Sequence, residues 1–181
     1  PQLGTLTHVL SHDGRDLAST LQTIRTVGQP LKLDEAIENA FPYSTLDIIE
    51  QRGIVHLEMK IPGLFRSLSV REFSDGTLQY LCLLAALLSP RPAPFIVLNE
   101  PETSIHPDLI RPMSELIVAA AENSQVLLTT HSRELAKLLS RSDESSIQEL
   151  EKIDGATCHK GVKKQRESKD YYFLQDEEND D

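Results

Sequence analysis

Apolar residues follow three different patterns along this chain. Leu17, Leu21 and Ile24 stand at helical spacing, so residues 13–27 predict a helix with Gly28 as its stop signal. A second short helix fits residues 34–41 and ends before Pro42. The period then falls to two. Val55, Leu57, Met59 and Ile61 alternate with His56, Glu58 and Lys60, the pattern of a half-buried strand. Residues 44–50 predict its hairpin partner across Arg52-Gly53, Pro62-Gly63 marks a turn, and 66–70 fits a further strand. After "FSDGT", residues 78–88 predict a helix apolar on nearly every side, hence a central one, ended by "SPRPAP". Residues 95–98 and 126–130 are short continuous apolar runs, the pattern of parallel strands buried on both faces. Residues 107–123 between them predict helix, with Pro107 in a first turn and Pro112 imposing a restart or kink. Strand, helix, strand makes a right-handed crossover. A helix over 132–139 and a hairpin over 147–159, turning at Asp154-Gly155, complete the chain's regular elements. The predicted fold class is α/β: parallel core strands with flanking helices and an antiparallel hairpin region.

Composition narrows what such a fold does. The 181 residues suffice for one domain with a real core, and 39% hydrophobic with 25% charged residues is ordinary globular usage. The net charge of −10 argues against a nucleic-acid clamp made by this chain alone. Part of that charge is an acidic run, Asp176, Glu177, Glu178, Asp180 and Asp181, which reads as a solvated, disordered end. The basic residues Lys160, Lys163, Lys164, Arg166 and Lys169 before it read as a solvated linker. Two cysteines, Cys82 and Cys158, form no framework or metal pair, which makes a reducing cytoplasm the expected location. The longest apolar stretch falls short of the roughly 20 residues a bilayer needs, so no membrane partner is expected.

The chemistry gathers at strand ends. Strand 95–98 runs into Asn99-Glu100, strand 126–130 into Thr130-His131-Ser132, and Ser74-Asp75-Gly76-Thr77 opens a helix. If the two strands are parallel neighbours, their carboxyl ends share the sheet edge where α/β proteins put ligands, and Glu100 and His131 face one site. Taken singly, Glu100 and His131 also read as boundary residues. Ser74 reads as a helix N-cap and, compatibly, as part of a phosphate-binding helix start that Gly76 lets a ligand approach.

The order "FSDGTLQYLCLLAALLSP … FIVLNEPETSIHPDLI … VLLTTHSRELAKLL" resembles the C-terminal half of an ABC-type ATPase head. It is most similar to the RecF and structural-maintenance-of-chromosomes (SMC) branch, in the bacterial group of predicted AAA-family ATPases. "LGTLTHVLSHDGRDLASTLQTI" resembles the segment that precedes this region in that group. The resemblance implies an ATPase using ATP and Mg²⁺. In it Ser74, Asp75, Gly76 and Thr77 match the signature motif that touches the γ-phosphate held by a partner head. Residues 95–99 match the Walker B strand, with Asn99 at its metal-side position and Glu100 at the water-positioning base. Ser104, His106 and Asp108 fall in the D-loop of the dimer interface, and His131 matches the switch histidine. An ATP-dependent homodimer and a link to DNA repair, maintenance or defence come with the same resemblance. The implied organisation is a helical segment 1–43, a head lobe 44–160 and a polar, acidic tail 161–181.

Two departures qualify the match. No G-x-x-x-x-G-K-[ST] occurs in the chain, so it supplies no phosphate cradle of that type, and by itself it is expected not to hydrolyse ATP. Asn99 stands where an Asp normally holds Mg²⁺. Its amide oxygen can take a metal-bound water but brings no charge. A slow ATPase, or an ATP-sensing dimerisation module that gates a partner, is the alternative this raises.

Overall fold

The computed structural model describes residues 2–3, 7, 9–11, 13–143, 145–153 and 156–160. The acidic tail, its basic approach beyond Lys160 and the Asp154-Gly155 turn lie outside the described residues. The rest divides after Ser145 into two compact units.

In the first unit, helix α1 (Leu17–Val27) buries Leu17, Leu21 and Ile24 as its spacing requires. Its start is later than predicted because Asp16, the residue before it, is drawn into a turn, where its carboxylate accepts Ser11 N–H at 2.8 Å and Ser11 Oγ at 2.6 Å. Helix α2 (Pro30–Ala40) begins earlier than predicted, since Pro30 is preset for a first helical turn and loses no bond there.

The alternating segment forms an antiparallel hairpin. Strand β2 (Thr45–Gln51) pairs with β3 (Ile54–Lys60), so Leu46 faces Met59 and Ile48 faces Leu57. Arg52 and Gly53 both take positive φ (55° and 74°), the backbone a tight two-residue hairpin turn requires. The opposite edge of β3 carries β1 (Gln2–Leu3), which has no pattern long enough to announce it, and β4 (Leu68–Ser69). The strand predicted over 66–70 is cut to two residues by a 3-10 turn, Val70–Glu72, in which Ser69 and Glu72 cap each other.

Helix α3 (Asp75–Leu87) is central as predicted: Tyr80, Leu81 and Leu84 are fully buried. Strand β5 (Phe95–Asn99) is followed by a 3-10 turn, Pro107–Leu109, and by α4 (Ile110–Ala121), so the predicted helical segment does restart, at Ile110 and not at Pro112. Pro112 is the third residue of α4, where a backbone N–H would have no partner within the helix. Strand β6 (Gln125–Thr129) lies parallel to β5, with Phe95 beside Gln125 and Asn99 beside Thr129. Helix α5 (Arg133–Leu139) follows, capped by Ser132. No helix among the described residues is long and apolar enough to cross a membrane.

The expectation that β5 and β6 are buried on both faces is corrected here. Ile96, Leu98, Val126 and Leu128 pack on the core, but Phe95, Val97 and Leu127 are 51%, 57% and 54% exposed. A parallel sheet is normally covered on both sides. The described helices cover one side only, and the continuous apolar run reflects a second face they leave bare.

The second unit is a hairpin of β7 (Leu150–Ile153) and β8 (Ala156–His159), antiparallel as predicted.

Candidate functional site

The carboxyl ends of β5 and β6 come together because the two strands pair in register to their last residues. Glu100 N–H donates to Thr129 C=O at 2.9 Å, carrying the ladder one residue past Asn99. At Glu100 the chain then turns off the strand with φ of 45°, and Ser104 repeats the left-handed conformation at 66°. Neither residue is a glycine, so both positions carry strain that the surrounding bonds must hold. Thr103 N–H to Glu100 C=O and Ile105 N–H to Glu102 C=O, each 3.0 Å, close that turn, and buried Ile105 anchors it to the core.

Glu100 and His131, expected to face one another if the strands are neighbours, are brought together. Glu100 Oε1 lies 3.1 Å from His131 Nε2, and both side chains reach solvent. An acid that can hold a water or proton and an imidazole that can donate thus stand side by side at an open sheet edge. Asn99 is beside them, its Oδ1 accepting the Thr129 hydroxyl at 2.8 Å.

Ser74, Asp75, Gly76 and Thr77 sit at the start of α3. Ser74 Oγ accepts Thr77 N–H at 3.2 Å and lies 2.9 Å from Thr77 Oγ1, so the N-cap reading holds. The run-in to this helix is fixed by Glu72, which takes the Arg66 guanidinium and Ser69 N–H; these bonds hold its carboxyl down at about 2. Gly76 has a contact role. A Cβ there would lie 2.6 Å from the Ser104 carbonyl oxygen, so only glycine lets the helix start meet the 100–105 turn. Gln79 Nε2 adds a bond to Pro101 C=O at 3.3 Å. The structure thereby brings Gly76 against Ser104, while Ser74 bonds within its own helix turn. His106 and Asp108 lie just beyond, exposed, with His106 Nδ1 accepting Asp108 N–H at 3.3 Å.

Sequence reasoning missed Glu102. Its Oε1 accepts Thr130 Oγ1 at 2.5 Å, His131 N–H at 3.0 Å and Ser132 N–H at 3.2 Å, tying the turn after β5 to the turn after β6. Burial pushes its carboxyl up. The bonds from Thr130, its own backbone, His131 and Ser132 more than offset that, leaving it below the ordinary carboxylate value. The only signal in the sequence was its place in "NEPE".

The donors suit Mg²⁺ in one way only. No group of three His, Cys, Asp or Glu side chains able to hold a metal occurs among the described residues, and Asn99 Oδ1 already accepts one donor. Mg²⁺ would be held here only if water and phosphate oxygens supplied most of its shell, with Asn99 and Glu100 outside or at its edge.

Known proteins share this fold. An SMC ATPase described for ATP-driven dimerization and DNA-stimulated activation superposes with a TM-score of 0.55 at 18% identity, over 77% of this chain and 87% of that one. The Smc head domain with a coiled coil and joint from Pyrococcus yayanosii gives 0.59 at 18% identity, over 77% of this chain and 27% of its own. The SMC head domain from Thermotoga maritima gives 0.52 at 15%, over 80% and 50%. The chain therefore spans most of the first and half or less of the other two, and at these identities the likeness shows the fold alone. No curated protein matches the chain. Residues 16–137 match the family described as "AAA domain, putative AbiEii toxin, Type IV TA system". With the larger part of its length inside that match, and with the fold of an SMC ATPase head lobe, the chain belongs to this AAA-domain family.

Proposed function

We propose that this chain is the part of an ATP-hydrolysing head that carries the water-positioning carboxylate, the switch histidine and the signature helix. The observation that supports this best is the Glu100–His131 contact of 3.1 Å at the paired ends of two parallel strands. Phosphoryl transfer needs positioning and charge stabilisation more than covalent chemistry. Glu100 would orient a water. His131, Ser74 and the free N–H groups at the start of α3 would meet phosphate oxygens, the signature set doing so on ATP bound by a second head. Bound Mg²⁺ would offset phosphate charge during transfer.

The missing phosphate loop has to come from outside these 181 residues. The bare apolar face of β5 and β6 is the surface on which a second lobe carrying that loop would complete a sheet covered on both sides. The active unit is then an ATP-dependent homodimer of the complete protein, and this chain alone releases no phosphate. DNA as a partner rests on the resemblance to SMC-type heads.

In the complete protein, Glu100→Gln should lower phosphate release by about 100-fold or more while ATP-dependent dimerisation persists. Undiminished phosphate release by that variant would overturn the assignment. A second reading, an ATP sensor that dimerises with little turnover, draws on Asn99, whose amide adds no charge and whose oxygen is already engaged by Thr129. Asn99→Asp separates the two: a rise in Mg²⁺-dependent turnover favours a slowed enzyme, whereas dimerisation with no turnover in either form favours the sensor.

A further inference from the structure

Glu102 has no part in the roles assigned above, yet it holds the most bonded side-chain atom near the site. Three donors converge on Oε1, from residues 28 to 30 positions away. They are the Thr130 hydroxyl and the N–H groups of His131 and Ser132, the whole chain reversal between β6 and α5. Thr130 Oγ1 is itself oriented by this bond, since it also accepts Ser132 N–H at 2.9 Å. The other oxygen, Oε2, is buried and takes no donor. Apart from a bond from its own backbone, the hydrogen bonding of this carboxylate is concentrated on the turn that carries His131.

The geometry points to Glu102 as the positioning residue that sets His131 against Glu100. Its catalytic meaning rests on the ATPase reading; its structural content does not. Glu102 belongs to the turn that Glu100 opens and reaches across to the turn that holds His131. The exposed imidazole has no packing to fix it, so its distance from Glu100 depends on where its backbone is held. A carboxylate suits the task, because ionised it only accepts and all three partners only donate to it. Reach matters as well. An Asp at this position would fall a methylene short of the three donors. A Gln would keep the accepting oxygen while placing an NH₂ near the buried Oε2 position, where no acceptor waits.

The test uses the ¹⁵N-labelled 181-residue chain and needs no nucleotide, so it stands or falls separately from the ATPase reading. Amide hydrogen exchange at His131 and Ser132 should quicken at least about tenfold in Glu102→Ala and Glu102→Asp, and by no more than about threefold in Glu102→Gln. Core amides such as Leu81 and Met113 serve as controls and should keep their rates. In the parent chain, Glu100→Gln should shift the His131 imidazole resonances. In the Glu102→Ala background that shift should be lost, and in Glu102→Gln retained. Should the alanine variant not fold, the aspartate variant carries both measurements. Parent-like exchange at His131 and Ser132 in the Ala or Asp variant would overturn the assignment. So would an undiminished imidazole response to Glu100→Gln in that variant.

Discussion

Two sheets in this molecule are built on opposite terms. The antiparallel β2–β3 hairpin turns most of one face inward: Leu46, Val55, Leu57 and Met59 are buried against the helices, and Asp47, His56 and Glu58 lie on the other face. The parallel pair β5–β6 has not one fully buried residue, and its outer face leaves Phe95, Val97 and Leu127 open. Yet Glu100, His131 and Asn99 all hang from the second pair. Stability and the candidate site are thus divided. The hairpin and central helix hold the unit together, and the site stands on strands whose burial this chain only half supplies.

That contrast is breakable by substitution. Leu57→Ala, in the closed sheet, removes a fully packed side chain and should cost about 2–5 kcal/mol in denaturant unfolding. A value near zero would mean the hairpin is not where the unit is held. Gly76→Ala comes next. Its new Cβ would press on the Ser104 carbonyl, so about 1–3 kcal/mol is expected, with the nuclear magnetic resonance shifts of residues 100–106 moving while those of β2 and β3 stay. The smallest effect belongs to the open face. Val97→Thr together with Leu127→Thr should leave unfolding of this chain within about 0.5 kcal/mol. A loss comparable to Leu57→Ala would show that this face is already covered in solution.

How legible these features were in the sequence follows physical reach. The β2–β3 hairpin was legible because alternation, turn residues and pairing all lie within sixteen neighbouring positions. The Ser74 cap was legible because an N-cap acts three residues away. Helix boundaries slipped where a short-range device intervened, as Asp16 did before α1 and Pro30 did at α2. The bare face of β5–β6 was illegible in principle. A continuous apolar run records that both faces want cover, not whether this chain provides it. Glu100 and His131 could be paired only by assuming adjacent strands, an assumption the register bears out. Glu102 escaped because its bonds span 28 to 30 residues, and the left-handed backbone at Glu100 because glutamate does not announce that conformation.

The close approach of Gly76 to Ser104 has a mechanical consequence. Two stretches of backbone meet there with no side chain between them, and a side chain is the part of a protein that gives way most easily. Such a joint is stiff. A push on the start of α3 is handed to Ser104 without being absorbed, and Glu100 opens the same short turn four residues back. If the proposed ligand docks at the helix start, Glu100 would feel it as displacement, a signal that salt does not screen.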